Sequence, residues 1–169
     1  EMTMQKISDF SSEDQDYHKR WMRAALGEAD KAQDLDEVPI GAVVVYNDQI
    51  VGRGHNVRET GQKAVGHAEI MAIEDANRRL GRWRLEGASL YVTLEPCPMC
   101  AGAIINARLA RVIYGANDPK AGCAGTLMNL LEDTRFNHRV EVVAGVMSAE
   151  CEEVLSQFFR QLRQRKAKK

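Results

Sequence analysis

No run of about 18 apolar residues occurs in this chain, so no membrane-spanning helix is expected. Residues 1–17 are acidic and polar rather than basic and then apolar, which argues against a secretory leader. With neither feature, the cytoplasm is the expected compartment. Internal repeats and linkers are also missing. A chain of 169 residues, 44% hydrophobic and 28% charged, is long enough for one core and short for two, so residues 1–169 are read as a single domain. Residues 1–10 open on Glu1 rather than a methionine, and they are set aside as flexible. Residues 11–166 are expected to fold, followed by a basic tail. Cysteine is scarce, at Cys97, Cys100, Cys123 and Cys151, and a Cys-x-x-Cys pair in a cytosolic chain points to a metal or redox site rather than a disulfide framework. Net charge is nearly absent at -1, yet it is polarised: residues 157–169 carry Arg160, Arg163, Arg165, Lys166, Lys168 and Lys169 and no acid. Such a tail suits phosphate contact and equally suits a solvated helix end.

The order of elements follows from periodicity. Ser12 followed by Gln15 resembles a capping box, and Tyr17, Trp21, Ala25, Ala29 and Ala32 recur at helical spacing, which predicts a helix over residues 14–33. Residues 40–46 and 50–56 read as two strands joined at Asn47 and Asp48 in a hairpin. A second helix is predicted over 67–80 and a third strand over 90–94. Pro98 suits a first helical turn, which predicts a third helix over 98–107. Strands over 112–114 and 140–143 follow, separated by a loop with a short helix near 126–131, and a helix over 149–166 closes the chain. The sum is an α/β protein with three α/β/α layers, a mixed five-stranded sheet and helices on both faces, its last three strands parallel. Ligand sites in such sheets collect at the strand carboxyl ends, where residues 67–69 and 96–100 lie.

Those two segments carry the chemistry. Cys97 and Cys100 are one helical turn apart, so both sulfurs can face one point, and a helix N-terminus favours the thiolate a metal needs. His67 supplies a third ligand, and three protein ligands leave a tetrahedral zinc ion open to water. Glu69 can take a proton from that water and give it to a departing amine, which is the chemistry of deamination. Residues i and i+2 of a mature helix point to opposite sides, so His67 has to stand just before the helix that carries Glu69. Each signal alone is weak. His67 could be a half-buried histidine, Glu69 a first-turn acid, and the cysteine pair a redox or structural zinc motif.

The sequence His67-Ala68-Glu69 followed by Pro96-Cys97-Pro98-Met99-Cys100 resembles the cytidine-deaminase-like superfamily. Residues 37–43, 93–97, 102–104, 137–140 and 158–160 further resemble the bacterial tRNA adenosine deaminases, a similarity running from about Tyr17 to Arg163. The resemblance implies the cytidine-deaminase-like fold and one Zn2+ per subunit held by His67, Cys97 and Cys100. It implies Glu69 as proton shuttle and Asn56 as a residue that holds the target nucleotide. Contacts to a tRNA anticodon stem-loop are implied for the loop bearing Asp118 and Lys120, for Asn137, and for Phe159, Arg160 and Arg163. It also implies a homodimer, with no membrane partner. The implied activity is hydrolytic conversion of adenosine to inosine at the wobble position.

Two rivals stay open on the residues alone. A deaminase of a small free nucleobase or nucleotide, of the guanine, cytosine or dCMP type, would carry the same zinc machinery. A non-catalytic zinc module would leave Glu69 an ordinary carboxylate. The basic tail and the connector Arg78, Arg79, Arg82 and Arg84 favour RNA.

Overall fold

Helix α1, Ser12–Asp34, is the first long element of the computed structural model, which describes residues 4–168. Its start is capped by Ser11, whose side chain accepts from the Asp14 amide at 3.2 Å, so the cap lies one residue earlier than the sequence pattern suggested. His18, Trp21, Met22, Ala25, Ala29 and Ala32 form its buried stripe, at the spacing of one helix face. Strands β2 (Gly41–Tyr46) and β3 (Gln49–His55) form the hairpin, and Asn47 and Asp48 turn it with φ of 51° and 56°, the left-handed pair that a two-residue turn requires. Then come α2 (Ala68–Leu80), β4 (Ser89–Leu94), α3 (Pro98–Asn106), β5 (Arg111–Ala116), β6 (Glu141–Ala144) and α4 (Ser148–Ala167).

The sheet has six strands, not the five expected. A two-residue strand β1, Gln5–Lys6, pairs parallel with β6, and a single 3-10 turn, Ile7–Asp9, links it to α1. The segment set aside as flexible is therefore structured from residue 4 onward, while residues 1–3 lie outside the described residues, as does Lys169 of the basic tail. Two residues held by main-chain pairing leave no alternation for a sequence to display. Strand order is β1-β6-β5-β4-β2-β3, with β4, β5 and β6 parallel as expected and β2 antiparallel to both neighbours. The short helix expected near 126–131 is absent. That segment is a turn closed by a bridge between Ala124 and Asn129, because the Thr126 amide bonds to the Glu95 carboxyl instead of starting a helix.

Helices α2 and α3 cover one face of the sheet and α1 and α4 the other, so the core falls into two apolar clusters. One is built on Ala72, Leu90, Val92, Ile104 and Val112, the other on Trp21, Val43, Tyr91, Ile113 and Cys151. The close seating of α2 on β3 has a specific cause. Gly54 has no side chain, and a Cβ there would run into the Ala68 carbonyl and the Ala72 amide. The first turn of α2 is thereby pressed onto the end of β3. No helix among the described residues is long and apolar enough to cross a membrane.

Gly54→Ala is expected to destabilise the fold by roughly 1–3 kcal/mol, read as a lower urea midpoint at unchanged slope, because the helix backbone has to move away. A pH effect follows from His18, which is buried and hydrogen-bonded through Nδ1 to the Tyr91 hydroxyl at 2.7 Å. Burial holds its pKa below the ordinary value of 6.5, and Arg111 adds to the shift. The unfolded chain thus takes up the proton first as pH falls, and stability drops from about pH 6.5 downward until the folded ring also titrates. The melting midpoint should decline between about pH 8 and pH 5 more steeply in the wild type than in His18→Gln. Parallel curves would rule out this histidine as the cause.

Candidate metal centre and the cavity around it

His67 stands immediately before α2 with φ -85° and ψ 151°, an extended residue at the N-cap position, and Cys97 stands before α3 in the same way with φ -76° and ψ 175°. Neither side chain caps its helix. The geometric demand on His67 is met: it leaves the helix axis region while Glu69, in the first turn, points back to the same side. Cys100 lies one turn into α3 and is fully buried. His67 Nδ1 is 3.6 Å from Cys97 Sγ and 3.5 Å from Cys100 Sγ, and the three ligand atoms lie within 4.8 Å of one another.

These distances test the fit of an ion. A tetrahedral centre about 2.3 Å from sulfur and about 2.0 Å from nitrogen sets those two ligands about 3.5 Å apart. One such separation would suit a thiol–imidazole hydrogen bond, whereas two nearly equal separations from one nitrogen also suit a shared ion. The donor set of one imidazole and two thiols is that of zinc rather than of a hard, oxygen-seeking cation. Neither Cys123 nor Cys151, His55 or His138 joins the group, so among the described residues it ends at three. Cys123 is a buried free thiol.

The electrostatics are those of a buried, mutually dependent cluster. The Cys100 thiol beside it pulls Cys97 down to about 4, with His67 acting the same way, while Cys100 itself is pushed up by the same contact and by burial. Its hydrogen bond with Cys97 raises His67. Burial pushes the Glu69 carboxyl up to about 7. A carboxyl in that range can both accept and return a proton near neutrality, which is the requirement on a proton shuttle.

His67, Glu69 and Cys97 face a cavity of about 300 Å³, walled by Asn56, Val38, Ile40, Leu94, Asp118 and Ala121 among others. Asn56 follows β3 and is locked in orientation: its Nδ2 donates to the Val38 carbonyl at 3.3 Å and its Oδ1 accepts from the Arg58 amide at 3.0 Å. Asp118 is at the rim, with Oδ1 accepting from the amides of Lys120 and Ala121. Beyond that rim runs an open groove between residues 116–120 and α4, lined by Lys120, Phe159, Arg160 and Arg163. The two phenylalanines of α4 have parted: Phe158 is 4% exposed and in the core, Phe159 is 40% exposed and in the groove. Arg160 makes a surface ion pair with Glu153 at 2.9 Å. Asn137 is exposed and lines neither the cavity nor the groove.

Sequence reasoning assigned no role to two buried acids at the cavity, Glu37 and Glu95, both 2% exposed. Glu37 accepts from the amides of Glu59 and Thr60 and from the Thr60 hydroxyl, so it holds the loop after β3. Glu95 holds the loop after β5 in the same manner. The available signal was an acid directly before Val38 or Pro96, next to an apolar strand, where a solvated carboxylate is out of place.

Residues 16–163 match the MafB19-like deaminase family. A tRNA-specific adenosine deaminase of Bacillus subtilis (strain 168) is 58% identical over 86% of this chain and 91% of its own length. A tRNA-specific adenosine deaminase of Streptococcus pyogenes serotype M18 is 49% identical over 93% of this chain and 97% of its own. A solved structure from a study of A-to-I editing by tRNA:A34 deaminases at the wobble position of transfer RNA aligns with a TM-score of 0.77 and 43% identity, covering 80% of this chain and 99% of that one.

Elemental analysis of the purified wild type should find about one transition-metal ion per chain. Cys97→Ser and Cys100→Ser should each lose it, and Glu69→Ala should keep it. Retention of the metal by both serine variants would show that the ion sits elsewhere.

Proposed function

The chain belongs to the MafB19-like deaminases and, within them, to the tRNA-specific adenosine deaminases, and from that membership we propose that it converts adenosine to inosine at the wobble position of a tRNA anticodon loop. The observation that carries the RNA reading is a shared wall. The segment 116–121 gives Asp118 and Ala121 to the cavity and Asn117, Pro119 and Lys120 to the groove. A nucleotide in the cavity therefore leaves its neighbours lying along Lys120, Phe159, Arg160 and Arg163, one aromatic ring and three cations. Single-stranded loops are gripped in that way, by stacking and by phosphate contact. A free base would have no use for the groove.

His67, Cys97 and Cys100 would hold zinc, and Glu69 is the group that moves protons. Zinc, when bound, supplies Lewis acidity that makes a water nucleophilic near neutral pH. The Glu69 carboxylate takes the proton released as water adds to C6 of adenine, and returns it to the exocyclic nitrogen, which leaves as ammonia. Asn56, held by Val38 and Arg58, presents its amide to the nucleotide at a fixed angle. The cavity takes one base, so the target adenosine is turned out of its stack before reaction. Asn137 is assigned to the RNA surface farther from the cavity. We further propose that the chain acts as one deaminase domain in a cytoplasmic homodimer, on RNA and not at a membrane.

A synthetic anticodon stem-loop with adenosine at the wobble position should yield inosine, while free adenosine, cytidine and guanine should not react. Turnover of the stem-loop should weaken as salt rises. Glu69→Ala should lose at least about a hundredfold in rate with its zinc retained. Conversion of a free base alone would move the enzyme to salvage of small molecules, and undiminished turnover in Glu69→Ala would sink the proton-shuttle role.

A further inference from the structure

Glu95 sits between the end of β4 and Pro96, with its carboxyl group buried. Both oxygens are committed to one loop. Oε1 accepts from the Asp118 amide at 3.0 Å and from the Thr126 hydroxyl, and Oε2 accepts from the amides of Ala124 and Thr126 at 3.0 Å each. Gly122 lies so close that a Cβ there would run into the carboxyl group. The main chain adds a link on either side, from the Glu95 amide to the Ala116 carbonyl at 2.9 Å and from the Cys123 amide to the Pro96 carbonyl at 2.8 Å.

The loop carries no helix or strand of its own. Between β5 and β6 it is held, besides hydrogen-bonded turns, by the bridge of Ala124 with Asn129, by a link from the Val140 amide to the Leu131 carbonyl at 2.8 Å, and by the buried side chains of Cys123, Ala124 and Leu131. A single side chain that gathers three amides and a hydroxyl ties together more of the loop than any one turn bond does. Its loss leaves buried donors unpaired. The loop so fixed is the one that carries Asp118 to the cavity and Lys120 to the groove. Glu95 belongs to no metal-ligand group, and its oxygens are turned to the loop.

We propose that Glu95 is a positioning residue for RNA recognition: it holds residues 117–126 in the shape that sets Asp118 and Lys120 at the junction of cavity and groove. The assignment rests on the wobble-adenosine reading above. Glu95→Gln keeps the shape of the side chain but has one acceptor oxygen and brings an NH2 against amide donors. Thr126→Val removes only one of the four bonds and guards against a folding defect in the first variant.

The test uses zinc-loaded full-length protein, with KM and kcat measured separately on the anticodon stem-loop and amide exchange followed without RNA. Glu95→Gln should raise KM about tenfold or more, with kcat at saturating RNA within about threefold of wild type and zinc still near one per chain. The amides of Asp118, Ala124 and Thr126 should exchange faster, and Thr126→Val should move KM and exchange in the same direction by less. An unchanged KM in both variants would overturn the proposal. So would a fall in kcat that tracks loss of zinc, since Glu95 would then be supporting the cysteine turn. A wild type inert on the stem-loop would overturn the wobble reading, and the recognition role with it, whereas exchange at the three amides reports on Glu95 without any RNA.

Discussion

His67 and Cys97 occupy the N-cap positions of α2 and α3, the places where a side chain ordinarily turns back to satisfy the first helix amides. Here both backbones are extended and both side chains are released toward each other. The helices begin at the same end of the sheet because β3 and β4 end there, and because Gly54 lets α2 seat against β3 without a gap. If either helix started a residue earlier, its ligand would rotate away from the other. The candidate metal centre thus depends on where two helices start, and that is set by Pro98 in one case and by the pressed contact of β3 in the other.

A second pattern is the use of buried acids in place of apolar packing around the cavity. Glu37 and Glu95 each gather main-chain amides from a loop that has almost no regular structure, while burial leaves Glu69 with its proton affinity raised. The contrast is physical. The carboxyl groups of Glu37 and Glu95 are taken up by the donors of a loop, whereas that of Glu69 is buried beside sulfur and imidazole and is kept able to exchange a proton.

The sequence was legible where chemistry or periodicity is local. The stripe of α1, the hairpin at Asn47 and Asp48, the three parallel strands and the grouping of His67, Cys97 and Cys100 could all be read from spacing. The exit of His67 from helical geometry could be deduced from its distance to Glu69. What escaped was non-local. Strand β1 exists only through its pairing with β6, and the helix expected near 126–131 does not form because Glu95 holds the Thr126 amide from 31 positions away. Phe158 and Phe159 are neighbours of one residue type and differ in which side of α4 meets the sheet.

The two clusters of the core also divide the molecule by task. His67, Cys97 and Cys100, which could hold a metal, and Glu69 all belong to α2, α3 and the turns before them, on one face. The groove wall contributed by α4 belongs to the other face, and α4 is tied down by only two buried side chains, Cys151 and Phe158. Its outer residues carry no duty to the interior. Such a helix is free to be rewritten over evolutionary time, so that a deaminase of this architecture can change the polymer it reads while the machinery that removes the amine stays untouched.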